Sequence, residues 1–170
     1  IGVAKDYAIG RNRYVGFLIS LATRSYDGMR VGLDCSNGSS FNIAKSVFDA
    51  LGAKTYVVGN EPDGTNINTN CGSTHIGDLQ KFVVENNLDV GFAYDGDADR
   101  CLAVDENGNL IAHTDANGNT IRYVYDAQYR MTEWYDQENN RIVLNEYDGE
   151  GRVLRQTDAN GYVVTLAYAD

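Results

Sequence analysis

Three carboxylates stand at alternate positions in Asp95-Gly-Asp-Ala-Asp-Arg100. Gly96 and Ala98 separate them and leave the backbone free to curl. Carboxylates gathered in one loop repel one another unless a cation or a fixed positive group offsets their charge. Oxygen ligands at this spacing suit a single hard divalent cation. Arg100 ends the run with a guanidinium fork, which suits a phosphate or a carboxylate. The plain alternative is a solvated acidic turn, since the chain has a net charge of −10. Strand-like runs on both sides, Val90–Tyr94 and Leu102–Val104, argue against it. An EF-hand is a second rival, with Asp95, Asp97, Asp99 and Glu106 at ligand positions. Its sharp turn needs Gly where Arg100 stands, and its flanks are helices, so it is rejected.

Other residues offer weaker chemistry. His75 and His113 are the only histidines and lie in different segments, which favours ordinary polar roles. Ser36, Ser39 and Ser40 follow a strand, but without the Gly-x-Ser-x-Gly pattern of a nucleophile elbow. Helix capping by Ser39 or Ser40 is the expectation. The glycines from Gly59 to Gly72 lack the Lys-Ser/Thr ending of a phosphate-binding P-loop. Cys35, Cys71 and Cys101 have no CxxC spacing and read as reduced thiols.

The elements that must position the acidic loop alternate in period. Ala4, Tyr7, Ala8, Tyr14, Val15, Leu18 and Leu21 recur at three- and four-residue spacing and predict an amphipathic helix over 4–21. Val31–Cys35 predicts a buried strand. Ile43, Ala44, Val47, Phe48 and Leu51 predict a second helix that Gly52 ends. Tyr56–Val58 is the next strand, and 60–73 a long polar loop. Leu79, Phe82 and Val83 mark a third helix before the strands flanking the acidic loop. The alternation implies an α/β layered mixed sheet with flanking helices and largely parallel pairing.

The texture changes near residue 110. All four Lys and the single Pro, Pro62, precede it. Beyond it Asp105, Asp126, Asp148 and Asp170 recur at intervals of 21, 22 and 22, with Asp115, Asp136 and Asp158 between them. Tyr or Thr precedes most of these Asp, and tetrads such as Asp115-Ala-Asn-Gly118 follow most of them. Asp accepts backbone hydrogen bonds and Asn-Gly tolerates positive φ, so these tetrads predict hairpin turns. Residues 105–170 therefore predict an antiparallel β-hairpin repeat sheet, with the tyrosines packing across strands. The Tyr-Asp pairs, Gly151-Arg152 and the Thr-Asp-Ala-Asn-Gly turns resemble the YD repeats of RHS proteins. The last unit, at Tyr168-Ala-Asp170, carries no capping element, so its sheet edge is expected to favour self-association.

Residues 1–109 carry a second resemblance. Tyr94-Asp-Gly-Asp-Ala-Asp-Arg100 with Cys101–Gly108 is similar to the magnesium loop of the phosphohexomutase superfamily. Asp34-Cys-Ser-Asn-Gly38, Asn60–Asn68 and Cys71-Gly-Ser-Thr-His75 resemble its phosphoglucosamine mutase branch. The resemblance implies that Asp95, Asp97 and Asp99 bind Mg²⁺ and that Arg100 holds a phosphate beside it. It also implies phosphoryl transfer between glucosamine 6-phosphate and glucosamine 1-phosphate, in the cytoplasm. The family's phosphorylated serine and sugar-binding loops belong to other domains, so no catalytic residue is assigned within 1–170. An incomplete mutase is expected, inactive alone and engaging a phosphosugar only when those domains are supplied. The expected division is 1–109, a metal-binding second domain, and 110–170, RHS/YD hairpins. The competing reading is a non-enzymatic RHS/YD structural or secreted toxin-shell protein with a passenger mutase segment. Asp105-Glu-Asn-Gly-Asn-Leu110, at the join, reads as a turn of either kind.

Composition narrows the partners. With a net charge of −10 and no Lys/Arg cluster, nucleic acid and anionic lipid are not expected ligands. No apolar run approaches membrane-spanning length. The opening Ile1-Gly-Val3 has neither Met nor a signal-peptide pattern, as if cut from a longer protein.

Overall fold

The computed structural model describes residues 7–128 and 130–168. Ala4 and Asp170, which the sequence patterns include, lie outside the described residues. Helix α1 spans Ala8–Leu21, strand β1 Arg30–Asp34, helix α2 Ala44–Ala50 and strand β2 Lys54–Val58. Helix α3, Ile76–Glu85, follows a single 3-10 turn at Ser73–His75. Eight strands come next: β3 Val90–Tyr94, β4 Cys101–Asp105, β5 Leu110–Thr114, β6 Thr120–Tyr125, β7 Met131–Tyr135, β8 Arg141–Tyr147, β9 Val153–Asp158 and β10 Val163–Thr165.

All ten strands form one sheet in the order β10-β9-β8-β7-β6-β5-β4-β3-β1-β2. β1 pairs in parallel with β2 and β3, and every later pairing is antiparallel. The mixed α/β sheet and the hairpin array expected from the sequence are thus joined edge to edge through β4 and β5.

Alternation along β1 and β3 builds two cores. Val31, Leu33 and Val90 bury one face beneath α2, with Phe48 stacked on Phe92 at 5.3 Å between ring centroids. On the other face α3 lays Leu79 and Val83 over Ala93 and Val104. Gly91 permits that approach, because a Cβ there would lie 2.5 Å from a Val83 methyl and 2.9 Å from one of Val104. A six-to-one bond from Ala53 N–H to the Phe48 carbonyl ends α2, with Gly52 at φ +93 as expected. The start of α2 differs from expectation. Its cap is Ile43 with no side-chain bond, and Ser40 contributes its carbonyl to Ala44 N–H instead. Apolar residues surround α1 rather than forming one stripe, and Tyr7, Ile9, Tyr14, Phe17 and Leu21 are all exposed.

Beyond Val104 no described apolar residue is fully buried. The hairpins lie side by side as a single layer and do not stack to bury a continuous face. Their order comes from a turn built alike six times. In the first, Asp105 Oδ1 accepts from the Asn107 and Asn109 N–H groups, and Oδ2 accepts from the Asn109 amide at 3.0 Å. Asp115, Asp126, Asp136, Asp148 and Asp158 accept from the backbone two and four residues on in the same way. The residue before the last of these takes positive φ at Gly108, Gly118, Asn139, Gly151 and Gly161, as a turn with a bulge requires.

The tyrosines do more than pack across strands. Arg130 binds Asp126 through Nε at 2.8 Å and lies 4.7 Å from the Tyr147 ring centroid. Tyr147 Oη donates to the Met131 carbonyl. One unit on, Arg152 repeats this with Asp148 and Tyr168, whose Oη donates to the Val153 carbonyl. Such cation–ring stacks contribute about 0.5–1 kcal/mol at exposed sites.

Candidate metal and phosphate site

The crossover from β1 to β2 runs to one side of β1, and that from β2 to β3 returns to the other. The carboxyl ends of β1 and β3 therefore flank a switch point, where open α/β sheets place ligands. Two loops leave the sheet there, Cys35–Ser40 after β1 and Asp95–Arg100 after β3. Ser39 N–H donates to the Gly96 carbonyl at 2.8 Å. A side chain on Gly38 would collide with Gly96, so the contact depends on glycine at 38.

β3 ends in the apolar core, and this fixes the depth of Asp95, which is 1% exposed. Ala98, at φ +61, turns the chain back, and its N–H donates to the Asp95 carbonyl at 3.1 Å. The turn lifts Asp97 and Asp99 to the surface. Each of the three carboxylates offers an oxygen within 4.8 Å of the others. The sequence-predicted ligands Asp95, Asp97 and Asp99 are thus brought together. They are the one such cluster of acidic, His or Cys side chains among the described residues. An all-oxygen donor set, with two members open to solvent, fits a hard divalent cation.

Arg100, the predicted phosphate ligand, is in contact with this cluster. Its backbone N–H donates to Asp95 Oδ1 at 3.1 Å and its Nε to Oδ2 at 2.7 Å. A second guanidinium nitrogen lies 2.5 Å from the same Oδ2, and Asp99 Oδ1 is 3.6 Å from Nε. Burial pushes the Asp95 carboxyl upward, but the Arg100 backbone and guanidinium outweigh it and hold it below the usual carboxylate range. The Asp99 carboxyl is raised by desolvation and by the charges of Asp97 and Asp95. One buried anion with a fixed cation beside it, next to surface anions that repel, is an arrangement that gains from a second positive charge.

A second buried carboxylate, Asp34, stands in the sequence at the head of the Asp34–Gly38 segment with no role of its own assigned. It accepts from Ser36 N–H at 2.9 Å and Gly72 N–H at 2.7 Å, tying the β1 loop to the polar loop. Burial raises its carboxyl despite these bonds. The signal was present as Asp at the end of an apolar strand. Ser36 Oγ and Asn68 Oδ1 are buried without a hydrogen-bond partner in the same region. A cleft of about 760 Å³ opens beside Asp34 and is lined by Asn37, Asn66, Asn70, Asp78 and Lys81. The acidic loop instead borders a separate hollow of about 560 Å³ that Asp97 and Ala98 share with Ser39, Tyr94 and α1.

The remaining candidates are not part of the acidic cluster. His75 pairs with Thr74 Oγ1, and His113 lies in β5 opposite Leu102 and Ile121. Cys35, Cys71 and Cys101 are all free thiols. No described helix is long and apolar enough to cross a membrane.

Residues 12–108 match the family described as phosphoglucomutase/phosphomannomutase, alpha/beta/alpha domain II, and residues 104–142 match the RHS repeat. The two matches overlap on the Asp105 turn. A phosphoglucosamine mutase of Lachnoclostridium phytofermentans is 70% identical over 111 residues, covering 65% of this chain and 25% of that protein. A phosphoglucosamine mutase of Lachnospira eligens is 62% identical over 146 residues, covering 86% of this chain and 30% of that protein. A phosphoglucomutase/phosphomannomutase family protein of Burkholderia thailandensis superposes with a TM-score of 0.52 at 25% identity, over 60% of this chain and 23% of that one. The chain thus spans under a third of the length of these relatives.

Proposed function

This chain belongs to the phosphoglucomutase/phosphomannomutase family through the alpha/beta/alpha domain II, and on that premise we propose that it is the metal- and phosphate-binding part of a phosphosugar mutase. The reaction would interconvert glucosamine 6-phosphate and glucosamine 1-phosphate. The observation that carries the reading is the convergence of Asp95, Asp97 and Asp99 at the switch point, with Arg100 hydrogen-bonded into the cluster. Asp95, Asp97 and Asp99 would hold Mg²⁺. Bound there, the ion would supply positive charge to a transferring phosphoryl group. Arg100 would orient a phosphate oxygen from the rim of the loop, where its side chain is 50% exposed. Asp34 would act at one remove, holding the loop after β1 against which Gly96 rests.

The same reading divides the chain at about residue 109, with the hairpins from 110 onward as an RHS/YD array outside the chemistry. It places the protein in the cytoplasm, a reducing compartment in keeping with three free thiols. Complete turnover would need mutase segments outside the matched span, so the chain alone would leave glucosamine 6-phosphate unchanged. The RHS match and the six repeated turns favour a second reading, in which the hairpins scaffold a structural or secreted shell and the mutase segment is a passenger.

Calorimetric titration with Mg²⁺ and Mn²⁺, on the chain and on Asp97→Asn, tests the site. Weak binding by the chain that the variant loses is the expected result. Equal binding by both removes the loop as the site. Turnover in a coupled mutase assay, abolished by Asp95→Ala, would overturn the expectation of inactivity.

A further inference from the structure

The turns at Asp105, Asp126 and Asp148 share one end of the hairpin strands and carry a ladder of matched residues. Four residues after Asp126 stands Arg130, and four after Asp148 stands Arg152. Each guanidinium binds its own Asp and lies 4.7 Å from a ring centroid one unit on, Arg130 at Tyr147 and Arg152 at Tyr168. Each of those tyrosines donates its hydroxyl to the carbonyl after the arginine, Met131 or Val153. The same register read from Asp105 gives Asn109, Tyr125 and Leu110. Asn109 keeps the bond to Asp105 Oδ2 through its amide, at 3.0 Å, but brings no charge. Among the described residues no cation lies over the Tyr125 ring, and its hydroxyl makes no hydrogen bond.

A hollow of about 590 Å³ opens at this point, and Asp105, Asn109, Tyr125 and Asp126 all line it. They are the counterparts of Asp126, Arg130, Tyr147 and Asp148, which meet around the Arg130 guanidinium. There Nη1 of Arg130 also reaches the Asp148 carbonyl at 3.5 Å. The hollow thus sets a carboxylate, an aromatic ring and the next turn in the order that holds a guanidinium elsewhere in this sheet. Asp105, Tyr125 and Asp126 are all half-buried. Burial raises the Tyr125 hydroxyl, with Tyr123 and then the charge of Asp105 adding to it. A cation laid on the ring offsets that charge, and partial burial strengthens the contact. We propose that this first rung of the ladder binds the arginine side chain of a second polypeptide, which lays its guanidinium on Tyr125 and forks onto Asp105. A planar fork matches a carboxylate and stacks on a ring, which an ammonium does less well. The net charge of −10 favours the approach of a basic segment.

Nuclear magnetic resonance titration of the chain with N-acetyl-arginine N-methylamide tests the site, with the citrulline analogue as a neutral isostere. The arginine probe should move the amide signals of Tyr125 and Asp126 saturably, and the citrulline probe should leave them in place. Tyr125→Leu should weaken binding about tenfold, the loss of roughly 1.4 kcal/mol of ring contact, whereas Tyr125→Phe should retain it. Asn109→Arg should complete the ladder from within the chain. That variant should no longer bind the probe, and its β5 and β6 amides should exchange more slowly than those of the parent. It decides the matter even where Tyr125→Leu fails to fold. The absence of a saturable shift in the parent chain overturns the proposal. Equal shifts with citrulline, shifts confined to Asp95–Arg100, or binding that survives Asn109→Arg overturn it as well.

Discussion

The Arg100 guanidinium closes on the Asp95 carboxylate from within the same loop, with Nε 2.7 Å from Oδ2. A cation arriving at the three aspartates therefore meets an oxygen that already carries a positive partner. If Asp95 is a ligand, Arg100 and the ion share it or compete for it.

It follows that Arg100→Gln should bind Mn²⁺ more tightly than the parent chain, because one positive charge leaves the cluster. About 1 kcal/mol of relieved competition corresponds to roughly fivefold in Kd. The same variant should lose any strengthening of metal binding by inorganic phosphate, since the anion's partner is gone. Calorimetry with and without phosphate reads both effects, and unchanged metal affinity would mean that Arg100 and the ion occupy independent positions.

Acid should loosen the hairpin array. Asn119 and Asn140 side-chain bonds, the Arg130 fork and the Arg152 N–H hold the Asp115, Asp136, Asp126 and Asp148 carboxyls below the ordinary range. A carboxylate depressed on folding adds stability that is fully present above its unfolded value, about 3.9. That stability is lost as pH falls through the lower folded value. Asp34 has the opposite sign, because burial raises it and its contribution is greatest in acid. Trp134, the single Trp, lies in β7 and reports on the array by fluorescence. Its emission should change as pH falls below about 4, and emission that stays native through that range would mean that the turn carboxylates add little.

Leu79→Ala should destabilise the α/β part by about 2–5 kcal/mol, because Leu79 is fully buried between α3 and the sheet. Hairpins that contact only their neighbours feel such a change weakly with distance. Hydrogen exchange should accelerate in β3 and β4 and least in β9. Equal acceleration throughout would make the ten strands one cooperative unit.

The thiols should be silent in the folded chain. Burial pushes Cys35 up to about 11 and Cys101 up to about 12, and Cys71 is raised by the same cause. A thiol reagent at pH 8 should label none of them within minutes and all of them in denaturant.

Much of this was legible in the sequence. The strands around the acidic loop follow from Val31, Leu33, Val90 and Phe92, whose two-residue spacing sets them on the one face that α2 covers. The three aspartates converge because a turn at Ala98 follows a buried strand. Local pattern was weaker where a distant partner decides the outcome. Asp34 reads as a strand-end residue until Gly72, 38 positions on, is brought to its carboxylate. The Arg130–Tyr147 stack joins residues 17 apart, which only the strand register could align. The start of α2 was misplaced because Ser39 instead gives its backbone N–H to Gly96, a contact across two loops.

The Asp105 turn has a consequence for how such a chain can arise. Its hydrogen bonds match those at Asp115, atom for atom, down to the amide of the residue four on. Any array whose first hairpin begins with that turn can be grafted onto β4 with no linker and no new junction conformation. Each added hairpin then lengthens the sheet away from the switch point and leaves the acidic loop untouched. The turn works as a standard coupling between the α/β part and the hairpin array.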